Sequence, residues 1–146
     1  MSKKIFVVLD TNVLVSALLK RESLPDIVVD KAVNGEIIPV LNEEIINEYD
    51  EVLHRKKFHI AQNDIDETID GLKERGIFLN PAEEITDKVL HDKDVVFYAV
   101  TMEARKYNKT YLVTGNKKHF PVKPYVVNPH EFLTILPNIQ SKSDTD

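Results

Sequence analysis

Apolar runs along the chain predict a series of short, buried strands. Residues 5–9 read Ile-Phe-Val-Val-Leu with no polar interruption. Unbroken runs rich in β-branched residues are typical of strands buried on both faces of a parallel sheet. Pro39 indicates that the second predicted strand is short or ends early. The predicted strands lie over residues 5–9, 36–40, 77–79, 111–114 and 125–127.

Segments with helical periodicity separate these strands. Pro25 suits a first helical turn, and Gly76 suits the end of a helix. The predicted helices lie over residues 13–19, 24–33, 43–56, 62–75, 94–106 and 129–136. Strands that alternate with helices predict an α/β fold, in which helices cover both faces of a parallel sheet. No repeat or linker divides the chain, so we expect one domain over residues 1–137 and a polar, disordered tail over 138–146.

Polar residues lie at the ends of two of the predicted strands. Asp10 and Asn12 follow the first strand, and Thr114 and Asn116 lie at the end of the fourth. In open α/β sheets, ligands bind beyond the carboxyl ends of the strands. We expect these two strands to be neighbours at the centre of the sheet, which places Asp10 close to Asn116. Taken alone, Asp10 is equally compatible with a helix N-cap, but the run Asp-Thr-Asn exceeds what one cap requires.

Further carboxylates occupy positions from which they can face the same edge. Glu48 lies at the border of the apolar stripe of its helix, although a solvated flank is the simpler explanation of Glu48 taken alone. Asp94 lies at the start of an apolar helix, so capping of that helix is the alternative explanation of its position. Asp92 is a second candidate for the cap, or an outer group of the site. Carboxylate and amide oxygens from separate segments suit Mg²⁺ or Mn²⁺, which activates water and offsets charge on a phosphate.

Composition excludes several other classes of protein. The chain has 146 residues and no cysteine, which removes disulfides, thiolate metal sites and cysteine nucleophiles. No apolar run approaches the roughly 20 residues that span a bilayer, and no signal peptide is expected, so we expect a cytoplasmic protein without membrane partners. The net charge of −5 argues against a passive nucleic-acid binder but is compatible with an enzyme that holds cations on carboxylates.

Four segments taken together resemble PIN-domain proteins. They are Val7-Val-Leu-Asp-Thr-Asn-Val-Leu-Val-Ser-Ala17, the helix from Glu43 to Leu53, the segment from His91 to Ala99 and the segment from Tyr111 to Pro121. The resemblance is closest to the bacterial and archaeal branch of toxins from toxin–antitoxin pairs. It implies a three-layer α/β/α fold with a mostly parallel sheet, here of five predicted strands, and an endoribonuclease that depends on Mg²⁺ or Mn²⁺.

The resemblance also assigns roles to individual residues. Asp10, Glu48 and Asp94 are the expected catalytic, metal-binding carboxylates. Many relatives have Asp at the position of Asn116, so the amide here implies a weaker metal ligand, for which Asp92 can compensate. Substrate contacts are expected from Asn12, Thr114, Lys117, Lys118 and His119. The expected partners are an RNA substrate, a cognate antitoxin and a second copy of the chain.

A second basic run, residues 54–57, is a further candidate for phosphate contacts. Its alternative explanation is a favourable interaction of cations with a helix C-terminus. The basic residues after Asn116 are the stronger candidates, because they adjoin the expected site.

Two other families with an acid after the first strand fit less well. A haloacid-dehalogenase-type phosphatase needs a second Asp two residues later, where this chain has Asn12, and the paired acids of a receiver domain are not found. The remaining alternative is a PIN-like fold of weak or no activity that serves as an RNA- or protein-binding module. Asn116 is the feature in its favour, and carboxylate-dependent binding of Mn²⁺ distinguishes it from the enzyme.

Overall fold

The computed structural model describes residues 4–145, with side chains over residues 4–137, as one sheet flanked by helices. The strands are β1 (Phe6–Leu9), β2 (Ile38–Leu41), β3 (Ile77–Phe78), β4 (Thr110–Val113) and β5 (Val126–Val127). The helices are α1 (Thr11–Leu19), α2 (Leu24–Val33), α3 (Glu43–Leu53), α4 (Gln62–Arg75), α5 (Val95–Ala104) and α6 (Pro129–Thr145). Short 3₁₀ turns lie at Lys56–Phe58, Asp92–Asp94 and Lys117–His119.

The strands run parallel in the order β3-β2-β1-β4-β5. β1 and β4 pair along their whole length, from Phe6 beside Thr110 to Leu9 beside Val113. The chain crosses the sheet in one direction from β1 to β2 and in the other from β3 to β4. The rule of right-handed crossovers therefore places α1 and α2 on one face and α5 on the other. The predicted α/β/α architecture, with β1 and β4 adjacent at its centre, is confirmed.

Helix α3 is shorter than predicted. The expected span was 43–56, but the helix ends at Leu53 because Arg55 leaves the helical region and adopts extended backbone angles. The ring of His54 lies 2.7 Å from the carbonyl oxygen of Asp50 and so provides a partner for one of the last carbonyls of the helix. The basic residues that follow form the separate turn Lys56–Phe58.

Strand β2 continues through Pro39, where the sequence suggested an early end. The N–H of Ile38 donates to the Ile5 carbonyl beside β1. Successive backbone nitrogens of a strand point to opposite sides, so the nitrogen of Pro39 points toward β3. β3 pairs with β2 only from Val40 onward. The missing N–H of Pro39 therefore removes no hydrogen bond from the sheet.

Helix α6 is longer than predicted. The expected helix ended at Leu136, but the backbone stays helical through Pro137 to Thr145. Side chains from residue 138 onward, and all of residues 1–3 and Asp146, lie outside the described part of the chain. The division into a domain and a disordered tail thus stays a prediction. Between residues 4 and 145, no helix combines the length and the apolar character needed to cross a membrane.

A buried hydrogen bond from Tyr49 completes the end of β1. The Leu9 carbonyl points toward β2, as the Ile5 carbonyl does, but the pairing of β1 with β2 ends at Val7. The hydroxyl of Tyr49, on α3, donates to the Leu9 carbonyl instead. Tyr49 is fully buried. The bond fixes α3 to the residue that directly precedes Asp10.

Replacing Tyr49 by Phe leaves this buried carbonyl without a partner, and we expect a loss of about 1–3 kcal/mol in the free energy of unfolding. Urea denaturation should show a lower midpoint and an unchanged m-value. The matched control is Tyr107→Phe. Tyr107 is 61% exposed, and its hydroxyl donates a hydrogen bond of 3.3 Å to Glu103. Its effect should stay below about 0.5 kcal/mol. Equal losses in the two variants would contradict a special role for the buried bond.

Candidate active site

Three carboxylates line one cleft at the carboxyl edge of the sheet. The cleft has a volume of about 290 Å³ and includes the residues that follow β1 and β4. At this point the connections leave the central strands in opposite directions, which is the usual place for a ligand in an open α/β sheet. Asp10, Glu48, Asp94, Asn116 and His119 all line the cleft. Its other lining residues are Thr11, Asn12, Val15, Ser16, Val52, Arg55, Phe58 and Lys93.

Hydrogen bonds hold Asp10 at both carboxylate oxygens. Oδ1 accepts from the N–H of Thr11 at 2.8 Å, at the start of α1. Oδ2 accepts from the hydroxyl of Thr114 at 2.8 Å and from the amide of Asn12 at 3.2 Å. Asp10 therefore is an N-cap, as one interpretation of the sequence held. Its second oxygen has a different role, because it joins the end of β1 to the end of β4.

The pKa of Asp10 is raised to about 6, and burial of the carboxylate is the main cause. The carboxylates of Asp94 and Glu48 raise this pKa further, while the hydrogen bonds from Thr114 and Thr11 lower it. Near neutral pH, the ionised form of Asp10 therefore lies in an unfavourable field of like charges. A cation in the cleft would remove this conflict.

Asp94 is oriented by His119. It stands at the N-cap of α5, but its side chain accepts no hydrogen bond from that helix. Its Oδ2 instead lies 3.1 Å from Nδ1 of His119, and Nε2 of the same ring lies 2.8 Å from Nδ2 of Asn116. A neutral ring that donates from Nδ1 and accepts at Nε2 satisfies both contacts. The rings of His91 and His119 pack edge to face, with their centroids 4.3 Å apart. His119 thus has partners inside the site, where the sequence predicted a contact with substrate.

Glu48 reaches the cleft from α3. The helix buries Ile45, Tyr49 and Val52, and Glu48 lies at the border of this apolar stripe. It is half-buried and accepts a hydrogen bond of 3.2 Å from the hydroxyl of Thr11. Glu48 is therefore not a fully solvated residue on the flank of α3, which was the alternative explanation of its position.

Two of the residues expected to contact substrate instead support Asp10. Asn12 lines the cleft, but its amide donates to Asp10 and accepts from the N–H of Gly115 at 2.9 Å. Thr114 is fully buried and does not line the cleft, so its contact with substrate stays a prediction. Its hydroxyl donates to Asp10 and accepts from the N–H of Asn116 at 2.9 Å. Both residues hold the two strand ends together.

Three predicted residues lie outside the cleft. Asp92, Lys117 and Lys118 are exposed and do not line it. Lys117 forms an ion pair with Glu131 at 3.0 Å. Asp92 precedes Asp94 on a 3₁₀ turn rather than on a helix. It is therefore not placed to compensate for the missing charge at Asn116.

Arg55 and Lys93 bring positive charge to the cleft instead. Arg55 belongs to the basic run 54–57, and no other residue of that run lines the cleft. Sequence reasoning missed Lys93 because it stands between two acids on a turn whose direction the pattern does not reveal. It also missed the link from Thr11 to Glu48, although Thr11 belongs to the polar run that follows β1.

The donors in the cleft fit a hard divalent cation held partly through water. Carboxylate and amide oxygens are the ligands that Mg²⁺ and Mn²⁺ prefer. Within the described part of the chain, no three His, Asp or Glu side chains are already arranged to hold a metal ion. Mg²⁺ usually keeps several waters, so some of these carboxylates would contact it through water. Glu48 Oε1 and Asp94 Oδ1 accept no hydrogen bond from any residue that the structure describes, which leaves both oxygens available.

A larger cleft, of about 360 Å³, lies between the segment 81–87 and the last turns of α5. Its buried acid, Glu103, accepts hydrogen bonds from the N–H of Ala82 and from the side chains of Lys106 and Tyr107. Glu103 therefore links the segment 81–87 to α5. The smaller cleft is the candidate active site, because it gathers Asp10, Glu48 and Asp94.

The raised pKa of Asp10 predicts a pH-dependent stability in the absence of metal. An acid whose pKa rises from 3.8 to about 6 on folding adds stability that is present below its unfolded pKa and lost as pH rises through its folded pKa. At 1.36 kcal/mol per unit, the loss is about 3 kcal/mol. Relative to Asp10→Asn, the protein should lose this amount between about pH 4 and pH 7, as measured by urea denaturation in EDTA. Parallel profiles for the two proteins would show that Asp10 titrates normally.

Comparison with known proteins agrees with this geometry. A family model described as "PIN domain" matches residues 6–118. No curated protein and no solved structure matches the chain. The matched range covers well over half of the sequence and includes β1, β4, the three carboxylates and Asn116. The chain therefore belongs to the PIN-domain family, whose fold is that of a nuclease.

Proposed function

We propose that this chain is a metal-dependent endoribonuclease that hydrolyses RNA phosphodiester bonds with Mg²⁺ or Mn²⁺. The observation that carries the proposal is that Asp10, Glu48 and Asp94 line one cleft of a PIN-domain fold. This cleft lies where the connections leave the central strands in opposite directions. A phosphate would be repelled by three carboxylates unless a cation lay between them. The cleft is therefore suited to bind a divalent ion together with a phosphodiester.

The chain's own residues would hold and orient such an ion. When bound, it would supply a Lewis acid and lower the pKa of a water molecule. Asp10 is the anchoring ligand, because hydrogen bonds orient its carboxylate while Oδ1, which accepts only one of them, keeps a lone pair for the ion. His119 turns Asp94 toward the cleft, and Thr11 does the same for Glu48. The amide oxygen of Asn116 is a weaker fourth ligand. Arg55 and Lys93 line the same cleft, where they can contact substrate phosphates.

The resemblance to toxins of toxin–antitoxin pairs extends this proposal. On that basis the protein's partner is an antitoxin encoded by a small neighbouring gene. Co-purification of that gene's product with this chain, together with inhibition of RNA cleavage, would support the toxin role. Cleavage that such a product leaves unchanged would argue against it.

Asp10→Asn should lower Mn²⁺-dependent cleavage of RNA by about 100-fold or more. Loss of a residue that only supports a metal ligand typically costs 10–100-fold, so loss of the anchoring ligand should cost at least as much. The matched control is Asp70→Asn, the same chemical change at an exposed position of α4. It should cleave at the parent's rate. The measurement is cleavage of a labelled RNA by purified protein, with Mn²⁺ and with EDTA.

Two results would contradict the proposal. Undiminished cleavage by Asp10→Asn would remove Asp10 from the catalytic centre. If the parent protein neither cleaves RNA nor gains thermal stability from Mn²⁺, the chain is a PIN-like binding module instead.

The contact between His119 and Asp94 predicts opposite behaviour for two substitutions. The amide nitrogen of Asn can replace Nδ1 of a histidine, whereas that of Gln reaches the position of Nε2. His119→Asn should therefore keep the bond to Asp94, and His119→Gln should lose it. We expect His119→Gln to bind Mn²⁺ about 10–100-fold more weakly, with a corresponding loss of cleavage. His119→Asn should stay close to the parent in both. The same Mn²⁺ affinity in both variants, measured by calorimetry, would mean that His119 does not position Asp94.

A further inference from the structure

We infer that a pocket between α1, α2 and α4 binds a primary alkylammonium group, supplied by a polyamine or by a lysine side chain. The pocket has a volume of about 100 Å³ and shares no lining residue with the cleft that holds Asp10. Four carboxylates line it, those of Asp26, Asp30, Asp64 and Glu67, and we call it the acidic pocket. The inference does not depend on the proposed function, because it concerns a separate site.

Negative charge exceeds positive charge in the acidic pocket. One cationic side chain lines it, that of Arg21, whose Nε lies 3.4 Å from Oδ2 of Asp26. The carboxylates of Asp30, Asp64 and Glu67 form no ion pair with any residue that the structure describes. Burial and the charge of Asp26 raise the pKa of Asp30, although Arg21 partly offsets them. A further cation in the pocket is therefore favoured by the charges already there.

Thr68 is a second and independent sign of a ligand at this place. It lines the acidic pocket and is 8% exposed. The hydroxyls of Thr101 and Thr134, also in helices, donate to the carbonyl four residues earlier. The hydroxyl of Thr68 has no hydrogen-bond partner among residues 4–137, and it is not sealed off, because no sealed side-chain oxygen in that range lacks a partner. A ligand in the pocket can therefore reach this oxygen.

The lining of the acidic pocket suits an organic cation better than a metal ion. In the part of the chain with described side chains, no three acids are arranged to hold a metal ion. An ammonium group has three N–H donors, and carboxylate and hydroxyl oxygens accept them. Leu18 and Val33 also line the pocket and are only partly buried, so they offer apolar surface to a short alkyl chain. A primary alkylammonium group matches both the oxygens and the apolar wall.

The test is calorimetric binding of spermidine and of the amide of Nα-acetyl-lysine, both in EDTA. Thr68→Val should weaken binding about 10-fold, because a hydrogen bond to a charged group is lost, and Thr68→Ser should stay within about twofold of the parent. Since this hydroxyl has no partner in the free protein, Thr68→Val should not lower the Tm of the ligand-free protein.

Charge at the acidic pocket is tested with a matched pair of substitutions. Asp30→Asn should weaken binding about 5-fold. Asp70→Asn is the same change at an exposed position of α4 outside the pocket, and it should stay within about twofold of the parent. Equal weakening by the two variants would overturn the proposal, because it would mean that the amine responds only to the overall charge of the chain.

The two probes distinguish the source of the ammonium group. Tighter binding of spermidine would identify a polyamine as the ligand, and tighter binding of the lysine derivative would identify a lysine of another protein. Failure of both to bind would overturn the proposal. Asp10→Asn should bind the amines as the parent does, and loss of binding in that variant would place the amine in the cleft instead. A protein that binds the amines but cleaves no RNA would support the acidic pocket and count against the nuclease function alone.

Discussion

The pairing of β1 with β4 is the constraint on which the candidate site depends. It joins residues that are 104 positions apart, and the hydroxyl of Thr114 reaches Asp10 only because the two strands lie side by side. The bond from the N–H of Gly115 to Asn12 adds a second link between the same loops. Without this pairing, Asp10 and Asn116 would lie on unconnected segments. The pairing of two apolar strands thus determines where the polar residues of the cleft come together.

Asp10 shows that the cleft is not arranged for stability alone. Hydrogen bonds from Thr114 and Thr11 favour its ionised form, while burial and the two neighbouring carboxylates disfavour it. A chain that only needed a helix cap could use an Asn or a Ser there without this conflict. Local conflicts of this kind are expected at functional sites. The same reasoning applies to Asp94, which stands at a helix start but turns its carboxylate toward His119.

The sequence predicted the parts of this protein that follow from local pattern and from topology. Uninterrupted apolar runs identified β1 and β4, and the rule that ligands bind at strand ends correctly placed Asp10 and Asn116 at one edge of the sheet. Parts that depend on the path of a turn were not predictable. Lys93 lies between an exposed acid and a buried one. Thr114 lies at the end of a strand, where a side chain can be exposed or buried, and it is fully buried. Which of several neighbouring polar residues faces inward depends on backbone angles that periodicity does not reveal.

The position of β4 along the chain has a consequence for synthesis. β1 is made first, but its neighbour on one side does not exist until the ribosome has passed Val113, and Asn116 follows later still. Non-local pairing of this kind is slow, because the intervening chain must be ordered before the contact forms. An unfinished chain therefore has its carboxylates on separate segments, and the cleft comes into existence only when translation is well advanced.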